Sequence, residues 1–258
     1  MRAGNVEIFG ASKAEIMQQW SSVLPGGRFL CQDGVCALVT GIPLSPLNGV
    51  WSEHAHPDAA AVATLLDEVS RAGVPYGLKL PPGCEEAFTG LAAARGMARV
   101  ADISLMGLDA AGAVGAVGAG PVPDGLTIQR LGPERAPRAA AVAAAGFGTA
   151  QEVFLRLVTP DLLRLASVRC YVGEVAGQPV TTSLSVTLGS CTGIFAVATV
   201  PGFRGRGFGA AVTARAVADG LAAGSASCWL EASGMGLSVY QKLGFQVIEP
   251  RRGWASAS

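Results

Sequence analysis

Aromatic residues make up only 6% of this 258-residue chain and charged residues 15%. Despite a hydrophobic content of 50%, no run long enough to span a bilayer is free of glycine, proline or charge, so a membrane helix is not expected. The first residues, MRAGNVEIFGASKAEI, lack the unbroken apolar core of a signal peptide. A soluble cytoplasmic protein, monomer or homodimer, is the expectation. There is no dense Lys/Arg run and no interleaving of basic with aromatic residues, which argues against nucleic-acid binding. Histidine occurs only at His54 and His56. They flank Ala55 ahead of Pro57, and with no third ligand at a suitable spacing they read as surface-loop residues and not a metal site. The six cysteines, Cys31, Cys36, Cys84, Cys170, Cys191 and Cys228, form no CxxC pair and several sit in apolar runs. Buried free thiols are expected, with neither a metal nor a disulfide framework.

What the chain has is glycine, 35 residues, and a charge that sums to zero but is unevenly spread. Residues 1–124 carry 7 Lys+Arg against 12 Asp+Glu, and residues 125–258 carry 12 against 7. The positive half suits an anionic ligand, although the asymmetry would equally favour docking of the halves. Between them, residues 109–124 read DAAGAVGAVGAGPVPD, a Gly/Ala-rich stretch expected to be a linker. The first half reads as two strands around a Gln32-Asp33-Gly34 turn, a third strand LNGVW, a helix over 57–71, a strand YGLKL, a short helix and a closing strand. The second reads as a strand LTIQRL, helices over 137–145 and 153–166, a hairpin of VRCYVGEV and TTSLSVTL, and a strand GIFAVATV. It continues with a helix over 207–221, a strand SCWLEA, a helix GLSVYQKLG and a last strand region FQVIEPRRGW. The element order repeats, and LAAARGMARV lies against YQKLGFQVI with Gly96 matched to Gly244, so two related α+β domains are expected.

The segment IFAVATVPGFRGRGFGA carries the chemistry. An apolar strand runs into Pro201, an Arg/Gly turn and then a helix. Glycines at 205, 207 and 209 let the main chain approach a phosphate, the helix start offers free N–H groups, and Arg204 and Arg206 add charge. Gly205-x-Gly207-x-x-Ala210 also fits a dinucleotide-binding pattern, with Glu231 ending the next strand. In that fold, however, the first glycine leaves the strand directly, whereas here Pro201-Gly202-Phe203-Arg204 intervenes.

Arg204-Gly205-Arg206-Gly207-Phe208-Gly209 resembles the acetyl-CoA-binding turn of GNAT acetyltransferases, Arg/Gln-x-x-Gly-x-Gly/Ala. Downstream, Tyr240-Gln241-Lys242-Leu243-Gly244-Phe245 resembles that family's Tyr-x-x-x-Gly-Phe segment. The resemblance covers residues 125–258 and rests on the two motifs in order, with a strand between them. It implies two GNAT-like α+β domains, each a mixed, mostly antiparallel sheet flanked by helices. Residues 1–108 would be a degenerate copy without a CoA loop, and 125–258 the catalytic domain. It also implies acetyl-CoA as co-substrate, no metal, and direct transfer of acetyl to a small-molecule or peptide amine. Arg204, Gly205, Arg206, Gly207, Phe208, Gly209 and Ala210 would hold the pyrophosphate, and main-chain groups of Val197, Ala198 and Thr199 would pair with the pantetheine arm. Tyr240 would protonate the leaving thiolate. No carboxylate lies on GIFAVATV; Glu231 is the candidate general base, with Glu174 or a water relay behind it. The stretch 230–240 is shorter than in many relatives, and Ser233 stands where an Asn is often found. Cys228 has no histidine in its half to activate it. A CoA-binding sensor or scaffold without catalysis is the alternative.

Overall fold

In the computed structural model, which describes residues 2–110, 112 and 122–257, the chain folds into two compact units. Unit 1 comprises Met1–Leu105, Glu231–Met235 and Val247–Ser258, and unit 2 comprises Met106–Leu230 and Gly236–Gln246. Residues 111 and 113–121 of the expected linker lie outside the described residues.

Unit 1 begins with a helix, α1 (Arg2–Val23), where the sequence reading placed no element. Strands β1 (Arg28–Gln32) and β2 (Val35–Val39) form the expected hairpin about Asp33 and Gly34, both at positive φ. Next come β3 (Gly49–Ser52), α2 (Ala59–Ser70), β4 (Gly77–Leu80), α3 (Glu85–Ala93) and the start of β5 (Met97–Asp109). β1, β2 and β3 run antiparallel, and β3 is parallel to β4. The apolar positions of α2, Ala61, Val62, Leu65, Leu66 and Val69, are all buried. They pack with Val50, Leu78 and Leu80 of the strands into one core.

Unit 2 contains β6 (Leu126–Leu131), three helices, α4 (Ala136–Phe147), α5 (Gln151–Leu157) and α6 (Pro160–Arg164), and strands β7 (Val168–Val175), β8 (Gln178–Leu188) and β9 (Cys191–Thr199). Helix α7 (Phe208–Ala222), strand β10 (Ser227–Ala232) and helix α8 (Leu237–Lys242) follow. Strands β6 to β9 are antiparallel neighbours, and β9 is parallel to β10. Each unit therefore has a mixed, mostly antiparallel sheet with one parallel β-α-β crossover, β3-α2-β4 in one and β9-α7-β10 in the other. The matched glycines are equivalent in geometry as well. Gly96 and Gly244 stand just past α3 and α8 at φ +68° and +87°, left-handed positions that end a helix at little cost only in glycine.

Two expectations are corrected. The last strand, β11 (Gln246–Ser256), does not complete the second half: it pairs antiparallel with β4, Arg252 opposite Leu80 and Trp254 opposite Leu78. The driving force is visible in Trp254, which is 2% exposed and packs into the core of α2, β3 and β4. A boundary at residue 125 would separate β11 from that core. Cysteine is the second case. Cys84, Cys170, Cys191 and Cys228 are free and buried, but Cys31 and Cys36 are joined by a disulfide, because the hairpin register sets them directly opposite one another. Trp20, Trp51, Trp229 and Trp254 are buried, and His54 and His56 are exposed, as read from the sequence for the histidines. No described helix is long and apolar enough to cross a membrane.

Candidate anion-binding site in unit 2

The Arg/Gly turn sits between β9 and α7. After Thr199 the chain makes a short helical turn at Pro201–Phe203, and Gly205 and Gly207 then adopt φ +76° and +80°. These left-handed values would cost a residue with a Cβ about 1–2 kcal/mol each, so the glycines are needed to turn the chain into α7. Gly207 is the N-cap of α7, and no side chain caps that helix. The amides of its first turn, around Phe208, Gly209 and Ala210, keep the capacity and the helix dipole to bind an anion. Phe208, 4% exposed, anchors this start against Leu126 and Val180.

The arginines do something the sequence did not reveal. Arg204 Nη2 donates to the Gly146 carbonyl at 2.6 Å and its Nε donates to the Thr199 carbonyl at 3.2 Å. It ties the turn to the end of α4 and to β9. Arg206 donates to the Gly202 carbonyl at 3.3 Å and lies over the Phe203 ring at 5.2 Å. Both side chains are exposed, so their charge still bears on the turn, but Arg204 is first of all a brace.

The matching place in unit 1 has the opposite polarity. There Asp58 caps α2, its carboxylate accepting from the Ala61 amide at 2.7 Å. A fixed negative charge occupies the position where a phosphate would bind. The first half's lack of a phosphate loop thus has a structural counterpart.

Beside the turn, the last residues of β9 have no strand partner on one edge among the described residues. Its pairing with β10 ends at Gly193 opposite Trp229, while on the other side β8 continues to Thr199. Where β9 and β10 part, β9 also bulges: Thr182 pairs with Ala198 and Leu184 with Phe195, so Ser183 faces two residues, Ala196 and Val197. Ala196 is at φ +49°, strained for a residue with a Cβ. The Ser183 hydroxyl opposite is fully buried and has no hydrogen-bond partner among the described residues. No local signal in GIFAVATV marks this bulge. Of the three residues read as a pantetheine-pairing edge, the Ala198 carbonyl already accepts from Thr181 Oγ1 at 2.9 Å and the Thr199 carbonyl from Arg204. Val197, within the bulge, has no such competitor among the described residues. Helix α4 closes on this strand at Gly146, where an added Cβ would come within 2.7 Å of Ala198 Cβ.

Tyr240 lies on α8, which touches α7. Its ring meets Phe245 edge-on, centroids 6.1 Å apart, and the Phe245 amide donates to the Tyr240 carbonyl at 3.0 Å. Burial pushes its phenol up to about 12. Cys228 is fully buried, and burial foremost, with the neighbouring Cys191, raises its thiol to about 12, so it is unsuited to attack a thioester.

Glu231, at the far end of β10, belongs to unit 1 and is already engaged. Lys13 Nζ donates to its Oε1 at 2.6 Å and Lys79 Nζ to its Oε2 at 2.8 Å. Burial alone would raise its carboxyl. The charges and hydrogen bonds of the two lysines outweigh that and hold it well below the ordinary carboxylate range. A carboxylate so stabilised is a weak proton acceptor. Lys13, on a helix the sequence reading did not place, is why this was missed. Glu174 is likewise committed, 2.9 Å from Arg138.

No protein-family model matches the sequence, and no curated protein matches it. Solved structures do. A GCN5-related N-acetyltransferase from Kribbella flavida shares 19% identity over 96% of this chain and 96% of its own, with a TM-score of 0.68. One from Sphaerobacter thermophilus shares 16% over 94% of this chain and 84% of its own, TM-score 0.59. A tandem GNAT protein from the clavulanic acid biosynthesis pathway shares 16% over 86% of this chain and 78% of its own, TM-score 0.55. At this identity the likeness establishes the fold: two GNAT-like domains in tandem.

Proposed function

We propose that unit 2 binds acetyl-CoA and transfers its acetyl group directly to an amine. The observation that supports this most is the uncapped start of α7, beneath a turn that Gly205 and Gly207 fold, next to a strand edge left free by the parting of β9 from β10. Amides of Phe208, Gly209 and Ala210 would hold the pyrophosphate, with Gly205 and Gly207 giving the close approach. Main-chain groups at the bulge, Val197 foremost, would pair with the pantetheine arm. In the transfer the amine nitrogen forms a bond to the thioester carbonyl carbon and the carbon–sulfur bond breaks. The departing thiolate takes the Tyr240 phenolic proton, and the proton lost by the amine passes to water. Its raised pKa keeps Tyr240 protonated across the working range, so the proton is present when the thiolate departs. Glu231 is given no proton-transfer part, since two lysines stabilise its charged form. The protein would act in the cytoplasm on a small-molecule or peptide amine.

The same lysines favour a second reading, in which the chain binds CoA as a sensor or scaffold without catalysis, because both carboxylates considered as bases, Glu231 and Glu174, are held by cations. Thiol release from acetyl-CoA against a panel of amines separates the two. Amine-dependent release that falls in Tyr240→Phe supports transfer. Binding of acetyl-CoA without release by any amine supports the sensor.

A further inference from the structure

Strands β9 and β10 stay paired only as far as Gly193 opposite Trp229. Beyond that point β9 runs on through Phe195, the bulge at Ala196 and Val197, and Thr199. The vertex where the two strands part is filled with side chains on both faces. On one face the Trp229 ring, which stands opposite a glycine, meets the Phe195 ring edge-on, centroids 5.4 Å apart and planes at 86°. On the other face, which alternation along each strand assigns to Ile194 and Cys228, both side chains are buried. Trp229 is 1% exposed. Of these four side chains Phe195 alone is only half-buried.

The direction in which a thioester would lie follows from the two ends of the proposed site. The pyrophosphate belongs at the start of α7, where Gly209 comes so close to β9 that a Cβ on it would stand 3.4 Å from Thr199 Oγ1. From there the pantetheine arm would run back along β9 to Val197, and the acyl group it carries would continue towards Phe195. Thr199 to Phe195 is four residues, about 13 Å of strand. Past Phe195 the two rings close the way. An edge-to-face pair holds a preferred geometry, and Leu184, buried opposite Phe195 on β8, leaves that ring no room to retreat across the sheet.

We propose that Phe195, braced by Trp229, sets the length of the acyl group this site takes: an acetyl group fits ahead of the ring, and a chain as long as hexanoyl does not. Phe195 is on this account a specificity-determining residue. The inference rests on acyl-CoA binding by unit 2 and adds to that reading a limit on the acyl chain and the side chain that imposes it.

The test measures the affinities of CoA, acetyl-CoA and hexanoyl-CoA for the full-length wild type and for Phe195→Ala by isothermal calorimetry. In the wild type, hexanoyl-CoA should bind at least about tenfold more weakly than acetyl-CoA. Phe195→Ala should narrow that ratio to about threefold or less, because a length limit changes the ratio whereas general loosening of the fold lowers both affinities together. Far-UV circular dichroism and melting temperature check that the variant is folded; if it is not, Phe195→Leu takes its place, with the ratio again expected to narrow. Equal affinity of the wild type for the two thioesters, or a ratio that the substitution leaves unchanged, overturns the inference and leaves CoA binding standing. Failure of all three ligands to bind the wild type overturns acyl-CoA binding by unit 2 and the inference with it.

Discussion

Replacing Gly207 by Ala adds a single methyl group, and the structure makes its cost calculable. Gly207 sits at φ +80° and ψ 1° as the N-cap of α7. The space is open enough, since an added Cβ would meet only Pro123 Cγ at 3.5 Å. The penalty is therefore conformational, about 1–2 kcal/mol for an L-residue held in the left-handed region. For units of this size that corresponds to a fall in melting temperature of roughly 2–8 °C. If the turn relaxes to avoid the strain, the amides of Phe208 to Ala210 rotate away from a common focus, and acetyl-CoA affinity should fall at least about tenfold, or about 1.4 kcal/mol. Gly202 is the internal control: it lies in the same turn, its φ is not positive, and a Cβ there would meet nothing within 4 Å. Gly202→Ala should leave both the melting temperature and the calorimetric affinity near wild type. Equal effects of the two substitutions, or a Gly207→Ala protein with unchanged acetyl-CoA affinity, would refute the reasoning.

Three further outcomes are expected. Tyr240→Phe should lower turnover by roughly 100-fold or more with little change in acetyl-CoA affinity; and because the phenol is raised to about 12, the wild-type rate should show no loss attributable to Tyr240 ionisation below about pH 11. A basic limb near pH 9 that disappears in Tyr240→Phe would contradict this. Arg204→Ala should lower the melting temperature of the ligand-free protein, since it removes bonds to the Gly146 and Thr199 carbonyls; an unchanged value would return Arg204 to a purely phosphate-binding part. Lys13→Met should destabilise the protein most at neutral pH. Glu231 has a folded pKa below its unfolded value, so it contributes stability that is fully present above about pH 4 and is lost progressively as pH falls from there toward the folded value. The difference between wild type and Lys13→Met, followed by thermal melts from pH 7 to pH 3, should shrink with acidification; a constant difference would mean the Lys13 effect is not ionic.

Much of this architecture was legible because it is written in local signals. Apolar periodicity marked α2, whose five buried residues follow helical spacing. Glycines marked the ends of α3 and α8 and the turn into α7, since positive φ selects for glycine. What stayed hidden depends on pairings distant in sequence. Nothing within FQVIEPRRGW says that β11 will pair with β4, more than 160 residues earlier. The disulfide needed the register of β1 on β2. α1 has almost no amphipathic pattern, its apolar residues being scattered among small and polar ones, so Lys13 and its hold on Glu231 could not be foreseen. At the site itself the turn glycines and Tyr240 were readable as motif. The bulge at Ala196 and the bracing by Arg204 were not, because both are decided by main-chain geometry across strands.

The most direct measurement is the melting temperature of the full-length protein with acetyl-CoA, with NAD and with neither, repeated for Gly207→Glu, which places bulk and negative charge at the start of α7. Ligand present at 100 times its dissociation constant should stabilise the folded protein by about 2.7 kcal/mol. The account predicts that acetyl-CoA raises the melting temperature of the wild type, that NAD does not, and that Gly207→Glu, though folded, shows no shift with either. Stabilisation by NAD alone, by neither ligand, or by acetyl-CoA to the same extent in Gly207→Glu would contradict it.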